Sequence, residues 1–102
     1  MNDFSQGDII RIHGFTTPFL IISKNAFIRS TGMFHVCPFL TSPAPGPLHI
    51  PAKGIGSSSG VAVCEQIKLI DPASRSCRRV DRIPYPAIMD ISDAVQGVFE
   101  YD

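Results

Sequence analysis

The chain has 102 residues, of which 44% are hydrophobic and 18% charged, and its formal net charge is zero. This length and composition fit one globular domain with a single core, so we expect residues 1–102 to form one domain. No apolar run reaches the ~18–20 residues of a membrane span, and the opening MNDFSQGD lacks the basic and apolar segments of a secretory signal. We therefore expect a cytoplasmic protein without a membrane partner.

The zero net charge conceals an uneven distribution. Residues 1–82 hold nine Lys or Arg against five Asp or Glu, whereas residues 83–102 hold four acids and no base. A basic body attracts polyanions such as nucleic acid, although a solvated surface explains the charges equally well. The three cysteines form no C-x-x-C pair and the histidines show no metal-ligand spacing, so we expect no metal and no other cofactor. Cys37 and Cys64 fall in apolar runs and are predicted to be small buried hydrophobes.

The first half of the chain contains three predicted strands. Residues 9–13 (IIRIH) alternate, which places Arg11 and His13 on one face. Residues 18–23 (PFLIIS) are apolar on both faces, as is typical of a central strand. Residues 24–32 are predicted to form a connection with a single helical turn. Residues 33–40 (MFHVCPFL) form the third strand, in which Pro38 indicates an edge or a bulge.

The middle of the chain holds the least regular pattern. A proline- and glycine-rich turn at residues 41–47 leads to a short strand, LHIP, and to a flexible loop at residues 52–60. The stretch GVAVCEQIKLID, residues 60–71, is then interpreted as one long strand. Its alternation places Glu65 in the apolar row of Val61 and Val63, where a carboxylate requires a partner.

The last part of the chain combines a basic strand with a helix. In the predicted strand at residues 77–83, Arg78 and Arg82 share one face with Val80 between them, and Arg79 points the other way. This segment is interpreted either as a charge-protected edge strand or as a rim that contacts RNA. From Pro86 onwards, apolar residues recur at the spacing of an amphipathic helix.

These elements predict a mostly β domain in which five to six short antiparallel strands curl and a C-terminal α-helix closes the sheet. In order, QGDIIRI, PFLIISKNAF, HVCPFLTS, PLHIP, GVAVCEQIKLID and RRVDRIPYPAIMDISDAV resemble the segments of the MazF/PemK toxin family. The resemblance covers nearly the whole chain. It implies a small SH3-like barrel and a homodimer. It also implies a toxin of a type II toxin–antitoxin pair, partnered by single-stranded RNA and by a cognate antitoxin.

The resemblance further implies a metal-independent endoribonuclease, in which the 2′-hydroxyl of the RNA attacks the adjacent phosphodiester. Such an enzyme needs a base, a donor or cation for the phosphate, and an acid for the leaving oxygen. The phosphate-contacting threonine of the family falls at Thr41, with Ser42 as the neighbouring alternative. An ordinary turn before Pro43 explains both hydroxyls as well. The family's arginine before the second strand is replaced by Thr17, in a loop shorter than is usual.

Other side chains are therefore candidates for the missing cation and for the acid–base group. We predict that His13 acts as acid or base and that Arg11 or Arg29 holds the phosphate, although His13 is equally consistent with a strand-end histidine. Resemblance places Glu65 and Gln66 at the groove floor, facing RNA or the catalytic cation. Arg11, or the rim of Arg78 and Arg82, is the expected partner of Glu65. A purely structural buried ion pair is the alternative.

Two alternative functions remain. The first is a barrel of the same fold that no longer cuts RNA and binds only RNA or a protein partner, which the loss of the arginine at Thr17 favours. The second is a gyrase poison of the related CcdB type. Those toxins use a tail that contains tryptophan, and this chain has no Trp and ends in VFEYD.

Overall fold

A computed structural model describes residues 3–42 and 46–99 of the chain. It contains seven strands and two helices. The strands are β1 (Asp8–Ile12), β2 (Phe19–Ile21), β3 (Phe34–Leu40), β4 (His49–Lys53), β5 (Ser59–Val63), β6 (Lys68–Ile70) and β7 (Cys77–Arg82). The helices are α1 (Asn25–Thr31) and α2 (Tyr85–Val98).

All strand pairs are antiparallel, and the order across the sheet is β4-β5-β3-β2-β1-β7, with β6 paired to β3. The mostly β fold with a C-terminal helix is confirmed, although it has seven strands where five to six were predicted. In the described residues no ladder joins β4 to β7, so the sheet curls without closing as a barrel. Its two ends meet through the β4–β5 loop, where the Ile55 N–H donates to the Arg82 carbonyl oxygen at 2.7 Å.

The predicted long strand at residues 60–71 is wrong, because β5 and β6 are separate strands on the same edge of β3. β5 pairs with Phe39 and Leu40, whereas β6 pairs with residues 34–36. Continuing the β5 register would place Glu65 opposite Val36, but Lys68 lies there. A turn at residues 64–67 absorbs the extra length. Alternation alone cannot distinguish one strand from two strands that follow each other on one edge.

The same change of partner explains Pro38, which was predicted to mark an edge or a bulge. β3 is instead an interior strand, with β2 on one side and β5 and β6 on the other. Pro38 lies opposite Phe19 and between the segments of β3 that pair with β6 and with β5. The missing N–H of proline therefore falls where the outer ladder is interrupted, at a position that does not require a donor.

The connection between β2 and β3 is more helical than the sequence indicated. α1 extends over seven residues rather than one turn, and it buries Ile28. It ends at Gly32, whose φ of 72° is left-handed and whose N–H donates to the Ile28 carbonyl at 2.8 Å. Glycine adopts this conformation without the penalty that a Cβ imposes, so it terminates the helix.

Each face of the sheet carries a buried apolar cluster. On one face α2 packs against the residues Ile9, Leu20, Cys37, Phe39, Ala62, Cys64 and Ile83 through its own Ile91. On the other face α1 and the N-terminal segment cover a second cluster built around Phe34, which is fully buried. Cys37 and Cys64 have no exposed surface, which confirms their prediction as buried hydrophobes. No helix among the described residues is long and apolar enough to cross a membrane.

Candidate functional site

An open groove of about 590 Å³ is lined by residues of β1, β3, β5 and β7 and by the segment before β2. It contains four of the predicted site residues, which were assigned from separate parts of the sequence. These are Arg11 on β1, Thr17 before β2, and Thr41 and Ser42 after β3. The remaining lining residues are Ile9, Thr16, Pro18, Phe39, Leu40, Ser58, Ser59 and Val80.

Hydroxyl groups line one wall of the groove. Thr41 and Ser42 follow immediately after the last pair of the β3–β5 ladder, Leu40 with Val61, and both are exposed. Ser58 and Ser59 enter the same wall from the start of β5. These two serines were not predicted to lie in the site, because a run of small polar residues is typical of a flexible loop and carries no sign of what it faces.

Arg11 provides the positive charge of the groove. Its Nη1–H donates to the Thr16 carbonyl oxygen at 2.7 Å, which holds the guanidinium beside the short β1–β2 loop. The loop itself is held by Phe15, whose N–H donates to the Ile12 carbonyl and whose ring packs edge-on against Phe19 with centroids 5.2 Å apart. The cation therefore lies next to Thr17, in the part of the fold where the resembled family carries its arginine.

Asp81 on β7 binds the loop that leads to Ser58 and Ser59. Its carboxylate accepts N–H bonds from Gly56 at 2.9 Å and from Ser58 at 3.1 Å, together with the Arg82 N–H at 2.8 Å. These backbone donors, that of Gly56 most of all, lower the pKa of Asp81 to about 2. Gly54 packs so closely against the same carboxylate that a side chain there would collide with it. The ionised carboxylate thus holds loop 54–58 on β7.

A β-bulge divides the basic residues of β7 between the two faces of the sheet. Asp81 lies opposite Ile9 while Arg79 lies opposite Ile10, which leaves Val80 as the extra residue. Beyond the bulge, Arg78 lies opposite Arg11. The prediction that Arg78 and Arg82 share a face is wrong, because it assumed unbroken alternation.

On the opposite face, Asp8 lies next to the other two arginines of β7, Arg79 and Arg82. Its carboxylate is completely buried and lies 3.3 Å from Arg82 Nη2 and 3.6 Å from Arg79 Nη1. It also accepts the Ser5 N–H at 2.9 Å. Arg82 was a predicted RNA contact, but the structure places its guanidinium on a buried carboxylate, on the side of β1 and β7 that faces away from the groove.

The predicted acid–base group and the second predicted clamp lie outside the groove. His13 is exposed and lines an adjoining cleft of about 320 Å³, which also contains Arg11 and Arg78. Arg29 is on α1 and lines a different cleft beside Asp3 and Phe4. The structure therefore brings His13 close to the groove through their shared neighbour Arg11, and it leaves Arg29 apart.

Glu65 and Gln66 lie in the β5–β6 turn and do not line the groove. Glu65 is exposed, and its Oε2 is 2.9 Å from His49 Nε2 on β4. This hydrogen bond is the main cause that lowers the pKa of Glu65. The predictions that Glu65 is buried and that its partner is Arg11 or the rim of Arg78 and Arg82 are therefore wrong. Nothing in the local sequence indicated His49, because the contact depends on the break between β5 and β6.

The cysteines lie away from the groove. The Cys64 thiol donates to the Ala62 carbonyl oxygen at 3.6 Å, and its interaction with the Cys37 thiol raises the pKa of Cys37 and lowers that of Cys64. Burial raises the pKa of Cys77, which lines the cleft that holds His13. Among the described residues, no group of three or more His, Cys, Asp or Glu side chains is arranged to hold a metal ion.

Solved structures with the same fold are toxins and endoribonucleases. MazF in the MazE–MazF complex of Deinococcus radiodurans superposes with a TM-score of 0.81 at 18% identity, over 96% of this chain and 97% of that one. An endoribonuclease from a mycobacterial species gives 0.78 at 20% identity, over 95% and 91% of the two chains. A mycobacterial endoribonuclease in complex with its cognate antitoxin gives 0.77 at 18% identity, over 97% and 99%. At these identities the similarity establishes the fold.

Sequence comparison establishes the family. Among curated protein sequences there is no significant match. The family model of the PemK-like, MazF-like toxins of type II toxin–antitoxin systems, however, matches residues 4–99, which include every strand and helix of the fold. The chain therefore belongs to the family of PemK-like, MazF-like toxins of type II toxin–antitoxin systems.

Proposed function

We propose that this toxin is an endoribonuclease that cleaves single-stranded RNA in the groove without a metal ion, and that it acts in the cytoplasm as a homodimer. One observation carries the proposal: the groove brings the Arg11 guanidinium together with the hydroxyl groups of Thr41 and Ser42. A guanidinium and hydroxyl donors are the groups that stabilise charge on a phosphodiester during transfer. The structural relatives described as endoribonucleases, one in complex with its antitoxin, support both the reaction class and an antitoxin partner.

The reaction is an internal transfer at phosphorus. The 2′-oxygen of the RNA attacks the adjacent phosphorus as its proton passes to a base, and the bond from phosphorus to the 5′-oxygen breaks. The leaving oxygen takes a proton, which yields a 2′,3′-cyclic phosphate and a 5′-hydroxyl. Arg11 holds the phosphate, and Thr41 and Ser42 donate hydrogen bonds to its oxygens. His13 is the candidate for proton transfer, and it would act from the cleft that shares Arg11 with the groove.

The proposal is tested by incubating the folded protein with a long single-stranded RNA in EDTA. We expect discrete fragments whose ends carry 2′,3′-cyclic phosphate. Replacing both Thr41 and Ser42 by Ala should lower kcat/KM on the order of 10²-fold, because the donors that stabilise charge on the phosphate are lost. Ser30→Ala is the matched control, because it removes an exposed hydroxyl from α1 outside the groove.

The role of His13 is tested separately with His13→Ala. Unchanged cleavage by this variant would remove His13 from the mechanism and leave the groove assignment intact. Equal cleavage by the Thr41/Ser42 double variant and by the wild type would remove the groove assignment itself.

A second function is favoured by one residue. Thr17 lines the groove where the family carries its arginine, and Thr17 has no charge. A protein with this change that binds RNA or a protein partner without cutting RNA is the alternative. The wild-type protein is first shown to be folded by a cooperative unfolding transition. If it then retards the RNA in a gel and leaves the RNA intact, binding without cleavage is the function.

A further inference from the structure

We propose that the cleft beside the groove, formed by Arg11 and Arg78, is a second phosphate subsite, which binds a phosphodiester of the same RNA strand next to the reacting one and does not read its base. This inference rests on the proposed function, because it assumes that single-stranded RNA lies in the groove. It assigns to Arg78 a backbone contact, and it gives the RNA a direction of exit across β1 and β7.

The register of β1 and β7 brings two like charges together. Arg11 and Arg78 lie directly opposite each other on antiparallel neighbours, and both side chains are exposed. Like charges in this position destabilise a sheet. Within residues 3–42 and 46–99, neither arginine forms an ion pair, whereas Arg79 and Arg82 on the other face share Asp8. An anion between Arg11 and Arg78 would relieve this repulsion.

The cleft is continuous with the groove. Arg11 lines both the groove and the adjoining cleft of about 320 Å³, so the two cavities are neighbours across one side chain. A strand whose reacting phosphate lies at Arg11 and Thr41 therefore reaches the cleft with a flanking nucleotide. One guanidinium can donate two N–H bonds to phosphate oxygens, and Arg78 brings a second guanidinium to the same cleft.

The rings that line the cleft are those of Phe15 and His13, and the Arg75 guanidinium already lies over the Phe15 ring at 5.3 Å from its centroid. The Phe15 ring also meets Phe19 edge-on. A nucleotide base that stacked on the covered face of Phe15 would have to displace Arg75, whereas a phosphate gains a third nearby cation. The cleft therefore fits the backbone of the strand rather than a base, and it contributes affinity without sequence preference.

The test is the binding of fluorescent 2′-O-methyl oligonucleotides, which lack the attacking hydroxyl and stay intact. Arg78→Gln is compared with the wild type and with Lys68→Gln, which makes the same change of charge at an exposed position of β6, outside the groove and the cleft. We expect Arg78→Gln to weaken binding about fivefold at 0.1 M salt and to reduce the slope of log K against log salt by about 0.7, the value for one contact to a single-strand phosphate. Lys68→Gln should leave the slope unchanged.

Two further comparisons define the subsite. The loss in Arg78→Gln should be the same for oligonucleotides of all four flanking bases, and it should disappear when the oligonucleotide is too short to reach the cleft. Equal loss with a dinucleotide would overturn the proposal, because Arg78 would then contact the reacting phosphate. A loss that depends on the flanking base would also overturn it.

The remaining outcomes separate this proposal from the proposed function. Equal affinities of Arg78→Gln and Lys68→Gln, with RNA still bound and cut by the wild type, would overturn the subsite alone. A variant that binds RNA normally but binds an acidic peptide of Asp and Glu more weakly would overturn it in favour of a polypeptide ligand. Failure of the folded wild type to bind any oligonucleotide would overturn both proposals.

Discussion

The two faces of the β1–β7 pair carry the same kinds of charged residue and use them differently. On the face away from the groove, Arg79 and Arg82 hold the buried carboxylate of Asp8. On the groove face, Asp81 is occupied by backbone N–H groups of loop 54–58, and Arg11 and Arg78 face each other. A strand rich in arginine therefore contains two cations that contact a buried carboxylate and one that faces another arginine, and a one-residue bulge decides which residue is which.

The largest effect is expected from Asp8→Ala, on the face away from the groove. The change removes the acceptor of the Ser5 N–H and the shared partner of Arg79 and Arg82. The two guanidinium groups are about half exposed and can regain water, so we expect a loss of about 2 kcal/mol in the free energy of unfolding. Urea unfolding measures it. Asp90→Ala, an equal change of charge at an exposed position of α2, is the control, and equal midpoints for the two variants would contradict the role of Asp8.

The groove face is tested next with Asp81→Asn. The amide keeps one acceptor oxygen but turns N–H donors towards the donors of loop 54–58, so we expect a lower unfolding midpoint. We also expect faster proteolysis of the loop and weaker RNA binding, because Ser58 and Ser59 lose their support. Limited proteolysis with mass spectrometry locates the cut. An unchanged cleavage pattern would show that Asp81 does not hold the loop.

The same variant gives a pH dependence with a defined sign. The pKa of Asp81 is about 2 in the folded protein and ~3.9 in an unfolded chain, so the carboxylate stabilises the fold fully above pH ~4. This contribution is lost as the pH falls from about 4 towards 2. The stability difference between wild type and Asp81→Asn should therefore shrink over this range in thermal unfolding experiments. A difference that is constant from pH 7 to pH 2 would contradict the assignment.

The smallest effects are expected from a direct comparison of the two faces, with one substitution on each. Arg79→Gln removes a partner of Asp8 and should lower stability, whereas Arg78→Gln removes a like-charge neighbour of Arg11 and should raise it. Both changes should stay within about 1 kcal/mol, because the side chains are exposed to solvent. Both stability changes should be larger at 10 mM salt than at 1 M salt, where they should approach zero, since salt screens both interactions. Equal signs at low salt would mean that the faces do not differ.

Much of the fold could be predicted because a half-buried strand and an amphipathic helix leave periodic patterns. β1, β3, β7 and α2 lie where the patterns placed them, within a residue or two. The failures in the strands share one cause, which is a change of register, whereas α1 was underestimated in length. The turn between β5 and β6 and the bulge at Val80 each insert residues into an alternating pattern, and the pattern still appears continuous.

The residues of the groove could be predicted better than the contacts around it. Arg11, Thr17, Thr41 and Ser42 were assigned from strand ends and from family resemblance, and the fold brings them together. The partner of Glu65 was not predictable, because His49 meets it only through the turn that the sequence analysis did not identify. Contacts of this kind depend on how strands from distant parts of the chain align, and no local pattern encodes that alignment.

The pairing of β1 with β7 has a consequence for how the protein is made. β1 is the first strand and β7 the last, and β2 is the other partner of β1. At about 5–20 residues per second, β7 leaves the ribosome roughly 3 to 13 seconds after β1. During that interval β1 is an open sheet edge, and the cleft between Arg11 and Arg78 does not yet exist. A nascent or truncated chain that ends before residue 77 would lack Val80 of the groove lining and Arg78 of the cleft, so both cavities are completed only when β7 pairs with β1.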